Sequence, residues 1–416
     1  MKQNNIISLE NPVQDVLTLF LKESAQKMLQ LAIEQEVNEF IANYKNQLLE
    51  DGRQRIVKNG YLPERGIHTG IGTVKVEVPR TRDRDNSKGK IEFSSQWIPK
   101  HMRRTATIDV LLPVLYLKGI STGDFGRVLE PILGKEASNL SPAVISRLKS
   151  QWLDDYKIFL KKDLTGKKYV YWWADGIYLS ARNEEEKTCM LVIIGADSQG
   201  NKELVGLTDG FRESKESWLE LLRDLRSRNL ELSPQLAIGD GALGFWAAMH
   251  EMHPKTKGQR CWVHKTRNIL DKLPKSLQAK AKSQLHDIYL APTSLDATKS
   301  FDKFMTNYKL KYPKAAECLE KDRDILLTFY SFPAEHWQSI RTTNPIESTF
   351  ATVRHRTVKS KNCFSRDSII AVVFKLLQEA QKRWKKLYGY QKLADVINLV
   401  QFVDGIGQNE TNLCAA

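Results

Sequence analysis

The sequence runs to 416 residues, enough for roughly two to four domains, and 41% of them are hydrophobic, as in an ordinary folded chain. Its 63 Lys and Arg outnumber 49 Asp and Glu by 14, a surplus that points to a polyanionic partner, nucleic acid first. No uninterrupted apolar stretch reaches the ~18 residues of a transmembrane helix, and the N-terminus lacks the apolar region of a secretory signal. The cysteines (Cys189, Cys261, Cys318, Cys363 and Cys414) are odd in number and scattered, which argues against a disulfide framework and for a reducing cytoplasm.

Asn11-Pro12 is a helix-opening pair, and Val13, Val16, Leu17, Phe20 and Leu21 continue at helical spacing. The pattern predicts a helical arm to about residue 48, suited to packing or dimer formation. Val74, Val76 and Val78 alternate with polar residues and read as a strand that Pro79 stops. The run after Pro79 reads as an exposed basic loop in which Arg80, Arg82 and Arg84 can meet phosphates. From Thr107 the pattern is helical again, broken at Gly119 and Gly134. A helix capped by Ser141-Pro142 carries Val144, Ile145, Leu148 and Trp152 on one stripe, with Arg147 and Lys149 outside it. Short helices ending in one that presents basic residues resemble a helix-turn-helix.

A different texture starts at Lys167. Strands are predicted over 169–179, 188–196, 203–207, 235–238 and 259–263. A helix with a Ser217/Glu220 capping box follows the third strand, and another around 245–251 follows the fourth. Three consecutive strands followed by helix–strand units on a mixed five-stranded α/β sheet make the arrangement of a ribonuclease H-like core. Residues 265–335 carry helical segments punctuated by Pro274, Pro292, Pro313 and Pro333, and read as an all-helical insertion. Helices follow over 344–357 and 366–387, within a stretch strongly biased toward Lys and Arg. The expected organisation is a helical arm (1–50), a basic strand and loop region (51–105) and a helical region (106–165). The core (166–264 and 336–390) is then split by the insertion and followed by a tail (391–416).

Three acids sit where such a core can use them. Asp175 lies in an otherwise apolar strand, where an ionised carboxylate is costly unless paired or bound to a cation. Asp240 directly follows the fourth strand, at a carboxyl end where open α/β sheets present ligand-binding groups. Glu347 falls in the first turn of a helix opened by Asn344-Pro345, and Arg354 lies two turns along the same face. Carboxylates converging from two strands and a later helix repel one another without a divalent ion. Mg²⁺ prefers oxygen donors, and two ions can serve an in-line phosphoryl displacement.

At these residues the sequence resembles the Mutator-type family of bacterial insertion-sequence DDE transposases. The matching segments are Asn59-Gly-Tyr, Val78-Pro-Arg-Thr-Arg-Asp-Arg, Ala174-Asp-Gly-Ile-Tyr, Gly210 through Trp218, Gly239-Asp-Gly-Ala, Cys261-Trp-Val-His264 and Thr343-Asn-Pro-Ile-Glu-Ser348. Asn86 stands where the family pattern has Gly, a detail of one loop. The resemblance implies Asp175, Asp240 and Glu347 as the catalytic and metal-binding triad, Mg²⁺ (or Mn²⁺) as cofactor with two ions per site, and an insertion before the Glu. It also implies binding of terminal inverted repeats and target DNA, cleavage that frees a 3′-OH, strand transfer by that hydroxyl through a circular intermediate, and a homodimer or larger assembly on DNA. The setting is the bacterial cytoplasm, at the nucleoid. A DNA-binding repressor without catalysis is the alternative. His250, His253, Cys261 and His264 are of zinc-ligand type, whereas Cys261 on a strand and His264 at a helix start favour packing or hydrogen bonding. Trp337 reads as core or as a base-stacking residue. Arg356 joins Arg354 as an expected phosphate contact.

Overall fold

A computed structural model describes residues 16–85, 89–133, 143–180, 187–210, 212–359 and 365–408. The Asn11-Pro12 and Ser141-Pro142 caps, Gly134, Asn86, Cys363 and Cys414 lie outside them, as does the side chain of Val144. The chain divides into two compact units, residues 1–148 and 149–416. Among the described residues no helix is long and apolar enough to cross a membrane.

In the first unit, helix α1 (Val16–Ala42) precedes strands β1 (Ile56–Tyr61), β2 (Arg65–Thr69), β3 (Gly72–Val76) and β4 (Pro79–Asp83). The strands form two antiparallel pairs, β2 with β3 and β1 with β4. Ile33 of α1 closes a small core with Ile67, Val74, Val76, Val78 and Ile98. Pro79 does not end the extended backbone, as the sequence suggested. It opens β4, opposite Tyr61, where a missing N–H is tolerated at a strand start. The chain there exchanges one strand partner for another. Arg80 and Arg82 are therefore exposed strand residues, alternating with the inward Asp83. Helices α2 (Ala106–Leu117) and α3 (Phe125–Leu133) follow, and α4 (Ala143–Leu160) carries the chain into the second unit.

The second unit is built on a mixed five-stranded sheet in the order β7–β6–β5–β8–β9: β5 (Tyr169–Leu179), β6 (Thr188–Asp197), β7 (Lys202–Gly210), β8 (Leu236–Gly239) and β9 (Lys257–Arg260). The first three strands are antiparallel neighbours, and β8 and β9 run parallel to β5. β6 is buried along almost its whole length, which explains its unbroken apolar sequence. Helices α5 (Lys215–Ser227) and α6 (Leu243–Met252) cross between strands and bury Trp218, Leu222, Phe245 and Met249 against the sheet. Ser214, one turn before the expected Ser217, caps α5 by accepting the Ser217 N–H at 3.1 Å.

The last strand ends earlier than its apolar residues suggested, because Trp262 and Ile269 bury themselves at helical spacing in α7 (Trp262–Leu270). The segment before the Glu347 helix is helical throughout: α8 (Lys275–Tyr289), α9 (Ser294–Tyr308), α10 (Pro313–Glu320), and the short α11 (Arg323–Leu326) and α12 (Trp337–Ile340). Next come α13 (Asn344–Lys359) and α14 (Arg366–Gln381), the latter capped by Ser365. The described residues of the expected tail, up to 408, are packed. α15 (Leu393–Ile397) and the hairpin of β10 (Phe402–Val403) and β11 (Ile406–Gly407) bury Leu393 and Phe402.

Candidate active site

Sheet register sets the floor of the site. Ala174 pairs with Gly239, and Gly239 with Arg260, so the next residues on three adjacent strands are Asp175, Asp240 and Cys261 at one level. β8 and β9 end there, while β5 continues beside β6 alone. Asp175 is thus in mid-strand and only 7% exposed, whereas Asp240 stands at an open strand end. The Asp175 carboxylate accepts the Gly176 N–H at 2.9 Å. Burial pushes its pKa up to about 7; the charges of Asp240 and Glu347 add to the shift, and His264 opposes it. One oxygen of Asp240 accepts the Ala242 N–H at 2.8 Å, and its carbonyl accepts the Trp246 indole N–H at 2.8 Å.

Glu347 comes from α13, which packs against β5. Its anchor is Thr343, fully buried, whose hydroxyl donates to Glu347 Oε1 at 2.7 Å. The same hydroxyl oxygen lies 3.2 Å from Cys261 Sγ and 3.4 Å from His264 Nδ1. A hydroxyl has one proton and Glu347 is its nearest acceptor, so the imidazole is left to donate, to Thr343 or to Glu347 at 3.5 Å. The sulfur of Cys261 and the charges of Glu347 and Asp175 hold the His264 pKa up at about 9. Ligand-type atoms of Cys261, His264 and Glu347 all lie within 4.8 Å of one another. Cys261 is the cap residue of α7, with His264 in that helix's first turn, so the pair leaves the sheet where β9 ends. The upstream histidines do not join them: His253 binds Ser233 at 2.7 Å, and His250 is exposed.

A fourth acid, unassigned by sequence reasoning, borders this floor. Glu213 precedes the α5 cap, and its pKa is pushed up to about 7 by burial, then by Asp240 and Asp175. The sequence did contain a sign of it. Gly176 interrupts a strand of large residues, and a glycine inside a strand marks a close approach by another group. Glu213 and Asp240 line an open cleft of about 660 Å³ together with Arg212, Arg260, Asn268 and Lys321. The charge of Asp240 acts on both Asp175 and Glu213, and oxygen donors set close to one another suit a hard divalent cation, with the sulfur of Cys261 and the imidazole of His264 grouped around Glu347.

The expected DNA-contacting residues fall in several settings. Arg80, Arg82, Arg84, Arg147 and Arg354 are exposed, and Lys149 is half-buried. Arg356 is not available to a phosphate as it stands: it is 3% exposed, on the buried stripe of α13 with Thr349 and Val353. Trp337 donates its indole N–H to the Phe332 carbonyl at 2.8 Å and stands edge-on to Phe329 and Tyr330.

Residues 4–387 match the family model described as Transposase, Mutator family. The chain is 52% identical over 290 residues to the transposase for insertion sequence element IST2 of Acidithiobacillus ferrooxidans, covering 68% of this chain and 96% of that protein. It is 49% identical over 275 residues to the transposase for insertion sequence element IS6120 of Mycolicibacterium smegmatis, covering 66% and 84%. A more distant relative, the transposase for insertion sequence element IS256 in transposon Tn4001 of Staphylococcus aureus, is 25% identical over 354 residues, covering 80% and 87%.

Proposed function

From the premise that this chain belongs to the Mutator family of insertion-sequence transposases, enzymes of the DDE class, we propose that Asp175, Asp240 and Glu347 form its catalytic cation site on a ribonuclease H-like core. The observation that supports the reading is the register that puts Asp175 and Asp240 at one level of adjacent strands, while α13, which carries Glu347, packs against the strand of Asp175. Divalent ions held by these oxygens, Mg²⁺ or Mn²⁺ and two per site, supply activation of the attacking oxygen and stabilisation of charge on the phosphate.

The protein's own residues position and select. Thr343 fixes the rotamer of Glu347, and His264 gives its carboxylate a cationic neighbour. Cys261 and His264 then act as positioning residues, not as half of a zinc site. Lys321, exposed on the lining of the cleft, offers positive charge to a phosphodiester beside Asp240, whereas Arg260 is buried and paired with Asp322 at 3.0 Å. Water opens the phosphodiester at the element's end and leaves a 3′-OH. That hydroxyl attacks a second phosphodiester, forming one P–O bond as another breaks, with no protein–DNA covalent intermediate. Exposed Arg80, Arg82, Arg84, Arg147 and Arg354 serve terminal inverted repeats and target DNA. Apolar Val16, Leu17, Phe20, Met28 and Leu31 are exposed on α1 and support a homodimer or larger assembly on DNA, in the bacterial cytoplasm.

The test is a mobility assay with a marked donor flanked by the gene's native neighbouring DNA. Asp175→Asn, Asp240→Asn and Glu347→Gln should each lower circle junctions and new insertions by at least about 10³-fold while binding the DNA ends as wild type does. A variant that still forms junctions removes its residue from the triad. A wild type that binds the ends yet forms no junctions favours the repressor reading.

A further inference from the structure

We propose that Glu213 is a fourth carboxylate of the cation site, delivered from the loop that opens α5. The proposal rests on the reading of Asp175, Asp240 and Glu347 as that site.

Two glycines on separate elements make room for it. At Gly176, next to Asp175, a Cβ would overlap the Glu213 carboxylate, 2.5 Å from Cδ and 2.7 Å from Cγ. At Gly244, in the first turn of the helix that follows Asp240, a Cβ would press into the backbone of the same loop, 2.6 Å from the Ser214 carbonyl carbon and 2.7 Å from the Lys215 nitrogen. Neither glycine has a left-handed φ, so the turn requirement that usually explains glycine does not apply. What both positions lack is the side chain that would push this loop away from the two aspartates.

The loop is fixed on its other side as well. Ser214 caps α5, and the Glu213 N–H points to the Tyr178 hydroxyl at 3.4 Å. The Glu213 side chain is thus held against the strand that carries Asp175, and it lines the same cleft as Asp240. A carboxylate serving only the fold would be met by a base, as several are elsewhere in this chain. Here the carboxylate is met by the Tyr178 hydroxyl, and the principal charges on it are two further acids and His264, an arrangement that a bound cation relieves.

The experiment uses the full-length protein with Mn²⁺ as the probe. Binding is followed by the electron paramagnetic resonance of free Mn²⁺, and stability by thermal melting with and without the ion. Glu213→Gln should bind Mn²⁺ at least tenfold more weakly, show a smaller Mn²⁺-induced rise in Tm, and melt no lower than wild type when metal-free. Glu213→Asp, which keeps the charge with a shorter reach, should bind better than Glu213→Gln; equal loss in both overturns the proposal. Asp175→Asn distinguishes loss of the three-acid site from loss of the Glu213 contribution. If it loses Mn²⁺ while Glu213→Gln binds like wild type, Glu213 is not a ligand and the three-acid site stands. If both bind like wild type, the three-acid reading falls with it. A metal-free Glu213→Gln that melts below wild type assigns the carboxylate to the fold and also overturns the proposal.

Discussion

Two inward-facing aspartates, one in each unit, show opposite solutions to the same problem. Asp83 on β4 meets the Arg55 guanidinium through two bonds of 2.9 Å, and also accepts the N–H groups of Asp85 and Ile91 at 2.9 and 3.1 Å. Arg55 first, helped by those N–H groups, holds its carboxyl well below the usual range. Asp175 has one backbone N–H within its own strand, and its charged neighbours are chiefly acids, so burial pushes it the other way. Both are anions taken from water. Only the first has a counter-charge hydrogen-bonded to it, since His264 acts on Asp175 without outweighing burial and the neighbouring acids, and the difference separates an acid that holds a fold together from one that awaits something else.

The comparison can be broken at either end. Arg55→Ala should have the largest effect, leaving Asp83 buried without its partner and lowering the Tm of the first unit by about 5–10 °C. A Tm within about 1 °C of wild type would show that Asp83 is solvated and that the contrast fails. A smaller effect of opposite sign is expected at Asp175. Its folded pKa lies above the unfolded one, so the stability it lends is complete below about pH 4 and is lost as the pH rises through about 7. Asp175→Asn should therefore raise the metal-free Tm at pH 8 by about 2–4 °C and flatten its fall between pH 4 and 8. An unchanged pH profile would contradict the burial of that charge. The smallest effect belongs to the outward side of β4. Arg80→Ala with Arg82→Ala should leave Tm unchanged and reduce the slope of log affinity for DNA against log salt by about 2. An unchanged slope would take both arginines out of the DNA interface.

Much of this was legible because strong local signals agreed with the fold. The apolar run of 188–196 can only be a strand buried on both sides, and the chain folds it as β6. Asp240 was placed by its position after a short apolar strand. What failed was decided by partners far along the chain. Pro79 looked like a stop because its role as the first residue of β4 depends on β1, 18 residues earlier at Tyr61. Cys261 looked like a strand residue because Trp262 and Val263 are apolar, yet they pack as helix residues. Arg356 looked like a surface cation, although its spacing from Thr349 and Val353 put it on the inner stripe of α13. Glu213 stood in a polar stretch whose meaning is visible only from the two glycines that face it.

The dispersal of the acids along the chain sets an order of assembly during synthesis. The strands carrying Asp175 and Asp240 can pair once residue 240 has left the ribosome, but α13 emerges more than a hundred residues later. The closing hairpin comes later still: Asp404 takes the Ser294 N–H at 2.6 Å, and Gly405 exchanges backbone bonds with Tyr330 and Ala334. Such long-range contacts form slowly, after the local ones of the first unit. A nascent chain would therefore present its basic N-terminal surface well before it could cut, and with that surface binding DNA as proposed, every copy would pass through an interval of binding without cleavage.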